Sequence, residues 1–412
     1  MSRPTLDSAT GDTPLERVVN HYRQTFDIDF VHAHGSRLQG GDGRDYVDFY
    51  TARGRLNYGH DYISEAAEAP TPESTDFLAR FRETILQPRG LDYRIAHAGR
   101  TGSDSVQSAL ELARRITGRA NVIPFTNGEQ DASLSTLANA GNDAADRDDE
   151  TKLDDSVFIP FNHFYGDDDH SVEQLQTMIA SNASAVDQPA AVIVETVQSD
   201  GGLYTADAEW LRQIEEICRD NGVLLVIDEV QTGCGRTGPF FSFEPAGIQP
   251  DIICLSRTIS GSGLPIALTL VRPEHQESDG DFADADPALA SASASLRFWE
   301  TDELERDTAR KSAIVREALA HLAETYPALA GEVRGSGLIM GLATGPAGLA
   351  AAICKRARED GLLVETTGPR DDVVKLMPPL TIAETDLRAG LSRLDTAIRE
   401  TLKTFQPSED VA

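Results

Sequence analysis

The chain has 412 residues, 40% of them hydrophobic, with 33 glycines and 20 prolines, a balance that allows large buried cores and excludes a disordered or fibrous protein. Its 67 acidic residues outnumber 37 basic ones for a net charge of −30, which excludes nucleic acid and anionic membranes as expected partners, since both would be repelled. The lysines are Lys152, Lys311, Lys355, Lys375 and Lys403, and the other basic residues are arginines; so many carboxylates with so few lysine stems suit a protein held soluble in high salt, where screening removes self-repulsion.

Residues 1–11 are polar and carry no apolar export segment, and no apolar run reaches spanning length. Cys218, Cys234, Cys254 and Cys354 show neither a CxxC spacing nor a metal-ligand grouping, so the expectation is a cytoplasmic protein with no metal site. Residues 14–26 read as a helix begun by Thr13-Pro14, with Leu15, Val18, Val19 and Tyr22 on one face. Residues 30–49 alternate like a hairpin around Gly40-Gly41-Asp42-Gly43.

From about 95 to 300 the pattern becomes strand, helix, strand, helix. Short apolar runs at Asn121–Phe125, Val157–Phe161, Ala190–Thr196, Val223–Asp228 and Ile252–Ser256 read as strands, and 104–117, 170–180 and 206–221 as helices. Apolar strands separated by helices imply a mostly parallel sheet covered on both faces. Ligands of such sheets sit beyond the carboxyl ends of the strands, where Asp228 and Ser256 are expected. After about 302 come a long helix, strands within 331–344 and 362–378, and a last helix from 383. The expected fold class is therefore α/β, with a large domain over 46–300 and a smaller α+β domain formed by 1–45 together with 301–412.

The stretch Val226–Gly238 closely resembles the signature of the class III pyridoxal-phosphate-dependent aminotransferases, a family of fold type I. Glu195–Gly202, Leu56–His60, Gly261–Pro265 and Val374–Leu380 agree with it, and the chain is most similar to the diaminobutyrate–2-oxoglutarate aminotransferases over roughly 12–405. The resemblance implies that Asp228 pairs with the pyridinium nitrogen of pyridoxal phosphate, that Val230 packs on the ring and that Gln231 reaches its phenolic oxygen. It implies a phosphate cup at Gly102 and Ser103, a further phosphate contact at the position of Asp281, a catalytic-site glutamate at Glu195, and a substrate-carboxylate contact at Lys375.

The family's lysine is missing. The run Pro250-Asp251-Ile252-Ile253-Cys254-Leu255-Ser256-Arg257 places Arg257 where the resemblance demands the Schiff-base lysine. An amine can lose its proton and attack an aldehyde, whereas a guanidinium stays protonated and forms no useful imine. The aromatic residue that stacks on the cofactor is replaced by Glu129-Gln130-Asp131, and the threonine that reaches its phosphate by Asp281. A carboxylate about 5 Å from a phosphate dianion, at an effective dielectric near ~20, repels it by on the order of 6 kcal/mol. Asp104 reads either as a change in the phosphate cup or as a first-turn carboxylate favourable to its helix. Arg53, Arg55 and Arg100 also depart from the family pattern, and with Arg257 they are expected to neutralise Asp104, Asp131, Asp228 and Asp281 in the vacated site.

The leading expectation is a non-catalytic homologue in which cofactor binding is lost, assembled as a homodimer or as a heterodimer with an active paralogue, with a small anionic ligand held by the new arginines as one use of the emptied site. The alternative is a working transaminase acting on aspartate semialdehyde and diaminobutyrate with glutamate and 2-oxoglutarate. A third reading, chemistry without the cofactor using Glu195, Asp228 and His60, competes with a plain hydrogen-bonded role for His60.

Overall fold

The computed structural model describes residues 14–68, 74–126, 158–164, 166, 170–180, 188–256, 258–276, 278–280, 282 and 286–406. Helix α1 (Pro14–Phe26) begins with proline at its first position, where a missing N–H is no loss. Val18, Tyr22 and Phe26 recur every four residues and are buried against Leu38, Tyr46, Tyr50 and Leu363. Val19 does not share that face, contrary to expectation: it lies roughly 100° round the helix from Val18 and is exposed.

Strands β1 (Phe30–His34), β2 (Arg37–Gly40) and β3 (Asp45–Asp48) form an antiparallel meander. The expected single hairpin therefore gains a second turn, at Gly35-Ser36, where Gly35 takes a φ of +56°. A left-handed turn follows at Thr51, Ala52, Arg53 and Gly54, with φ of 47, 51, 59 and 77°. For L-residues that conformation costs roughly 1–2 kcal/mol each. Neighbours hold it in place: Asp48 Oδ1 accepts from the Tyr50 and Thr51 N–H groups, each at 2.9 Å, and Thr51 Oγ1 donates to the Met377 carbonyl at 2.8 Å.

Helices α2 (Asp61–Glu68) and α3 (Ser74–Phe81) lead into β4 (Arg94–Gly99) and α4 (Gly102–Thr117). Next come β5 (Val122–Pro124), α5 (Ser171–Ala180), β6 (Ala191–Val194), the small hairpin β7 (Val197–Gln198) and β8 (Tyr204–Thr205), and α6 (Ala208–Asp220). Strands β9 (Leu224–Asp228), β10 (Ile252–Leu255) and β11 (Ala267–Val271) complete the large sheet. Its order is β4-β11-β10-β9-β6-β5, with β11 antiparallel to both neighbours and the pairs β5–β6, β6–β9 and β9–β10 parallel.

Burial of both faces follows from period-two alternation. Ala191, Ile193, Leu224, Val226, Ile252 and Cys254 pack with the apolar stripe of α4. The alternate residues Val192, Val194, Leu225, Ile227 and Ile253 join Trp210, Leu211, Ile214 and Ile217 of α6. The strand expected at Val157–Phe161 is instead a single bridge between Phe125 and Ile159, and residue 157 lies outside the described residues.

Helices α7 (Pro287–Ser295) and α8 (Glu303–Thr325) lead to the hairpin β12 (Glu332–Ser336) and β13 (Ile339–Ala343). Helix α9 (Leu349–Glu359), β14 (Leu362–Leu363), β15 (Glu365–Thr367), β16 (Val373–Leu376) and α10 (Glu384–Thr404) finish the fold. The second sheet runs β12-β13-β16-β15, whereas β14 pairs parallel with β3 through Leu362↔Val47. The N-terminal meander and the C-terminal segment thus share a sheet, and the expected break between residues 45 and 46 falls inside β3.

Candidate functional site

Three parallel strands deliver their last residues to one edge. Val194 pairs with Ile227 and Cys254 with Asp228, so Glu195, Asp228 and Ser256 leave the sheet at its carboxyl end, as expected for a ligand site. Glu195 and Asp228 are buried, and Asp228 Oδ1 accepts from the Val230 N–H at 2.9 Å. Val230 packs on the start of α4: a Cβ on Gly102 would lie 2.4 Å from Val230 Cγ1, so only glycine admits this approach. Ser103 follows Gly102 in the first turn of α4 and is exposed.

Asp104 has a local role. Its Oδ2 accepts from the Arg100 and Thr101 N–H groups at 2.7 and 2.8 Å, while Thr101 Oγ1 accepts from the Asp104 N–H, a reciprocal cap on the helix. Burial pushes its carboxyl upward, but the Arg100 and Thr101 hydrogen bonds outweigh it and hold the group below the usual carboxylate range. Arg53 is also placed differently from the expected network: its Nε donates to Glu365 Oε2 at 3.1 Å. Arg257, Asp131 and Asp281 lie outside the described residues.

Gln231 begins a polar chain that sequence reasoning did not find as a unit. Its Oε1 accepts from Ser199 Oγ at 2.9 Å and its Nε2 donates to Asp200 Oδ2 at 3.2 Å. Lys375 Nζ, with its side chain 1% exposed, lies 3.6 Å from Asp200 Oδ1 and 3.6 Å from Glu365 Oε1. Strand β16 brings Lys375 opposite Glu365 on β15, so the pairing follows from sheet register. The chain Gln231–Asp200–Lys375–Glu365–Arg53 therefore balances its own charges, running from the buried Gln231 and Lys375 to the exposed Asp200 and Arg53.

Arg236 joins three of the segments that carried the resemblance. Fully buried, it donates to Asn57 Oδ1 at 2.7 Å and to the Pro378 carbonyl at 2.5 Å, and Asn57 Nδ2 donates to the Cys234 carbonyl at 2.8 Å. Burial lowers its guanidinium to about 10, which leaves it charged at neutral pH. Glu229 is equally buried, accepting from the Ser242 N–H and Oγ at 2.7 Å and from Thr232 Oγ1 at 2.8 Å; burial pushes its carboxyl up to about 7 against those bonds. His60 Nε2 meets Asp48 Oδ2 at 3.0 Å, the plain hydrogen-bonded role, and Tyr22 Oη reaches the same oxygen.

A cleft of about 220 Å³ opens beside the start of α4, with Arg55, Arg100, His21, Thr101, Gly102 and Ser256 in its wall. His21 was not among the expected site residues; nothing in its sequence surroundings marks it, and the fold brings it there by packing α1 across Tyr50, whose Oη lies 2.7 Å from His21 Nε2.

Pyridoxal phosphate would find part of what it needs here. Buried Asp228 suits a ring nitrogen, and the glycine-started helix α4 suits a phosphate. The donor set does not suit covalent attachment. Ser256 and Thr258 are fully buried, and the residue between them in sequence is arginine. Among the described lysines, Lys375 is held between two carboxylates, Lys311 donates to the Leu380 carbonyl at 2.7 Å, and Lys355 and Lys403 are exposed.

Comparison with known proteins identifies the family. The class III aminotransferase family profile matches residues 18–398. A diaminobutyrate–2-oxoglutarate transaminase of Sporosarcina pasteurii is 40% identical over 410 residues, covering 94% of this chain and 96% of that protein. Its counterpart from Halalkalibacterium halodurans is 39% identical, covering 95% and 96%. Among solved structures, the N-acetylornithine aminotransferase of Stenotrophomonas maltophilia superposes with a TM-score of 0.74 at 25% identity, covering 93% of this chain and 99% of that one. A transaminase from the marine bacterium Virgibacillus superposes at 0.75 with 20% identity, over 91% and 93%, a likeness of fold alone. With the family profile spanning residues 18–398 and relatives of 39–40% identity along nearly the whole chain, the chain belongs to the class III aminotransferases.

Proposed function

We propose that this chain is a class III aminotransferase homologue, similar to the diaminobutyrate–2-oxoglutarate transaminases, that no longer performs transamination through a lysine-bound cofactor. One observation carries the reading: Arg257 stands directly after Ser256, where the family supplies its amine. A guanidinium keeps its proton above pH ~12 and can neither form the imine nor shuttle the substrate proton. The replacement of the stacking aromatic by Glu129-Gln130-Asp131 and of the phosphate-binding threonine by Asp281 supports it. So does the placement of Lys375, whose amine is held between Asp200 and Glu365, 3.6 Å from each.

The second reading is a functional transaminase acting on aspartate semialdehyde and diaminobutyrate with glutamate and 2-oxoglutarate. Buried Asp228 and the glycine-started helix favour it. The readings separate on incubation with pyridoxal phosphate, followed by absorbance, borohydride reduction and peptide mass. We expect no internal-aldimine band and, by peptide mass, no reduced adduct at a site residue, for the chain itself and for Arg257→Lys, because the other two replacements persist. A reducible adduct mapped to the site of the unaltered chain, as distinct from exposed lysines such as Lys355 and Lys403, would overturn the reading. The protein is expected to be cytoplasmic and to assemble as a homodimer or with an active paralogue, which light scattering of the chain alone and of a co-expressed pair distinguishes.

A further inference from the structure

A second cavity lies at the other end of the large sheet from Glu195, Asp228 and Ser256. It measures about 500 Å³, within the range of small-molecule sites, and sits where α4 and α6 end and β9 and β10 begin. Ile116, Val223 and Leu224 give it an apolar lining, and most of the charges in its wall are matched locally. Asp251 accepts from the Leu225 N–H at 2.8 Å and meets His275 Nε2 at 2.9 Å. Arg272 Nε lies 2.7 Å from Glu274 Oε1, and Arg219 lies beside Glu216 and Asp220. Two charges are met differently. Arg119 Nη1 donates to the Pro189 and Gly222 carbonyls at 3.0 and 2.8 Å, and Glu215 Oε1 accepts from the Gln249 N–H at 2.6 Å. These partners are neutral backbone groups, and among the described residues neither side chain has an oppositely charged partner. Arg119 and Glu215 line one cavity without pairing with each other, so the gap between them is wider than an ion pair.

We infer that this cavity binds a free α-amino acid with an apolar side chain, its carboxylate against Arg119, its ammonium against Glu215 and its side chain on Ile116, Val223 and Leu224. A ligand of one sign meets repulsion there: an anion faces Glu215, Asp251 and Glu274, and a cation faces Arg119, Arg219 and Arg272. A zwitterion offsets both remaining charges at once, through hydrogen bonds between ionised groups, which are the strong class. The cavity shares no lining residue with the cleft at the start of α4, and the inference does not rest on the proposed function.

The test is calorimetric titration of the intact protein with L-leucine at constant ionic strength set by potassium chloride. The titration is repeated with 4-methylpentanoate, which lacks the ammonium, and with L-leucinamide, which lacks the carboxylate. Saturable binding of L-leucine is expected with a Kd near or below about 1 mM, and each truncated probe should bind at least about tenfold more weakly. Arg119→Gln and Glu215→Gln should each weaken L-leucine by about tenfold to a hundredfold, the factor for losing a charge-assisted hydrogen bond. Glutamine keeps the shape of Glu215 and an oxygen for the Gln249 N–H, so this variant tests the site even where a change at Arg119 disturbs folding. No saturable L-leucine binding would overturn the inference. So would equal affinity for either truncated probe, or an unchanged affinity in Glu215→Gln with native circular dichroism, which would place the amino acid elsewhere, the strand-end site included. A borohydride-trapped adduct bears on the other edge of the sheet and leaves this result untouched.

Discussion

Asp228 and Glu229 are consecutive and both buried, yet their surroundings give them different chemistry. Asp228 ends a strand at the ligand edge; Glu229 turns to Ser242 and Thr232 and loses its solvation. An unfolded glutamate titrates near 4.5, whereas in the folded chain Glu229 titrates at about 7. Between those values the folded state holds more protons than the unfolded one, so this group contributes most to stability at low pH, and that contribution falls as pH rises from about 4.5 to 7. Glu229→Gln removes the dependence. Relative to the parent it should gain on the order of 1–3 kcal/mol between pH 5 and 7.5, read from urea unfolding at each pH. Equal slopes in the two proteins would contradict the assignment. Arg257 belongs to the same scale: its identity alone argues against an imine, whatever its neighbours.

The left-handed turn Thr51–Gly54 is the element whose conformation sequence did not disclose. Alanine and arginine carry no signal for positive φ; the turn exists because Asp48 and the Met377 carbonyl grip Thr51 from opposite sides. Those anchors lie three residues away and more than three hundred residues away, so no local pattern contains them. Arg53 at φ +59° makes a decisive comparison. Arg53→Gly and Arg53→Ala both lose the exposed ion pair to Glu365, but only glycine relieves the backbone. Arg53→Gly should therefore exceed Arg53→Ala in stability by about 1 kcal/mol, the reverse of the usual preference, measured by denaturant midpoint.

Elements with strong periodicity were legible: α1, α4, α6 and the strands β6, β9 and β10 sit within a few residues of their expected places. Helix α9 was missed because its buried stripe, Leu349, Ala350, Ile353 and Ala357, is half alanine, which marks a core poorly. The expected Val157–Phe161 strand fared worse since an apolar run shows burial, not pairing.

For the whole molecule, charge sets the response to solution conditions. With a net charge of −30, self-repulsion spans the surface, and raising potassium chloride from about 0.1 to 1 M shortens the screening length from about 10 to 3 Å. Exposed pairs such as Arg37–Asp386 weaken too, but each contributes only about 0–1 kcal/mol. The thermal midpoint should rise with salt, followed by circular dichroism; a flat or falling midpoint would refute a halophilic adaptation.

By itself the sequence determined the alternation of strands and helices, the strand-end position of Asp228, the family resemblance and the arginine at 257, because each is carried by neighbouring residues in fixed spacing. Only the tertiary structure decided that Lys375 lies between Asp200 and Glu365, that Arg236 binds Asn57 and Pro378, and that Arg55, Arg100 and His21 share one cleft. Those contacts join segments far apart along the chain, and short-range patterning carries no information about which distant partner a charged side chain will meet once the sheets close around it.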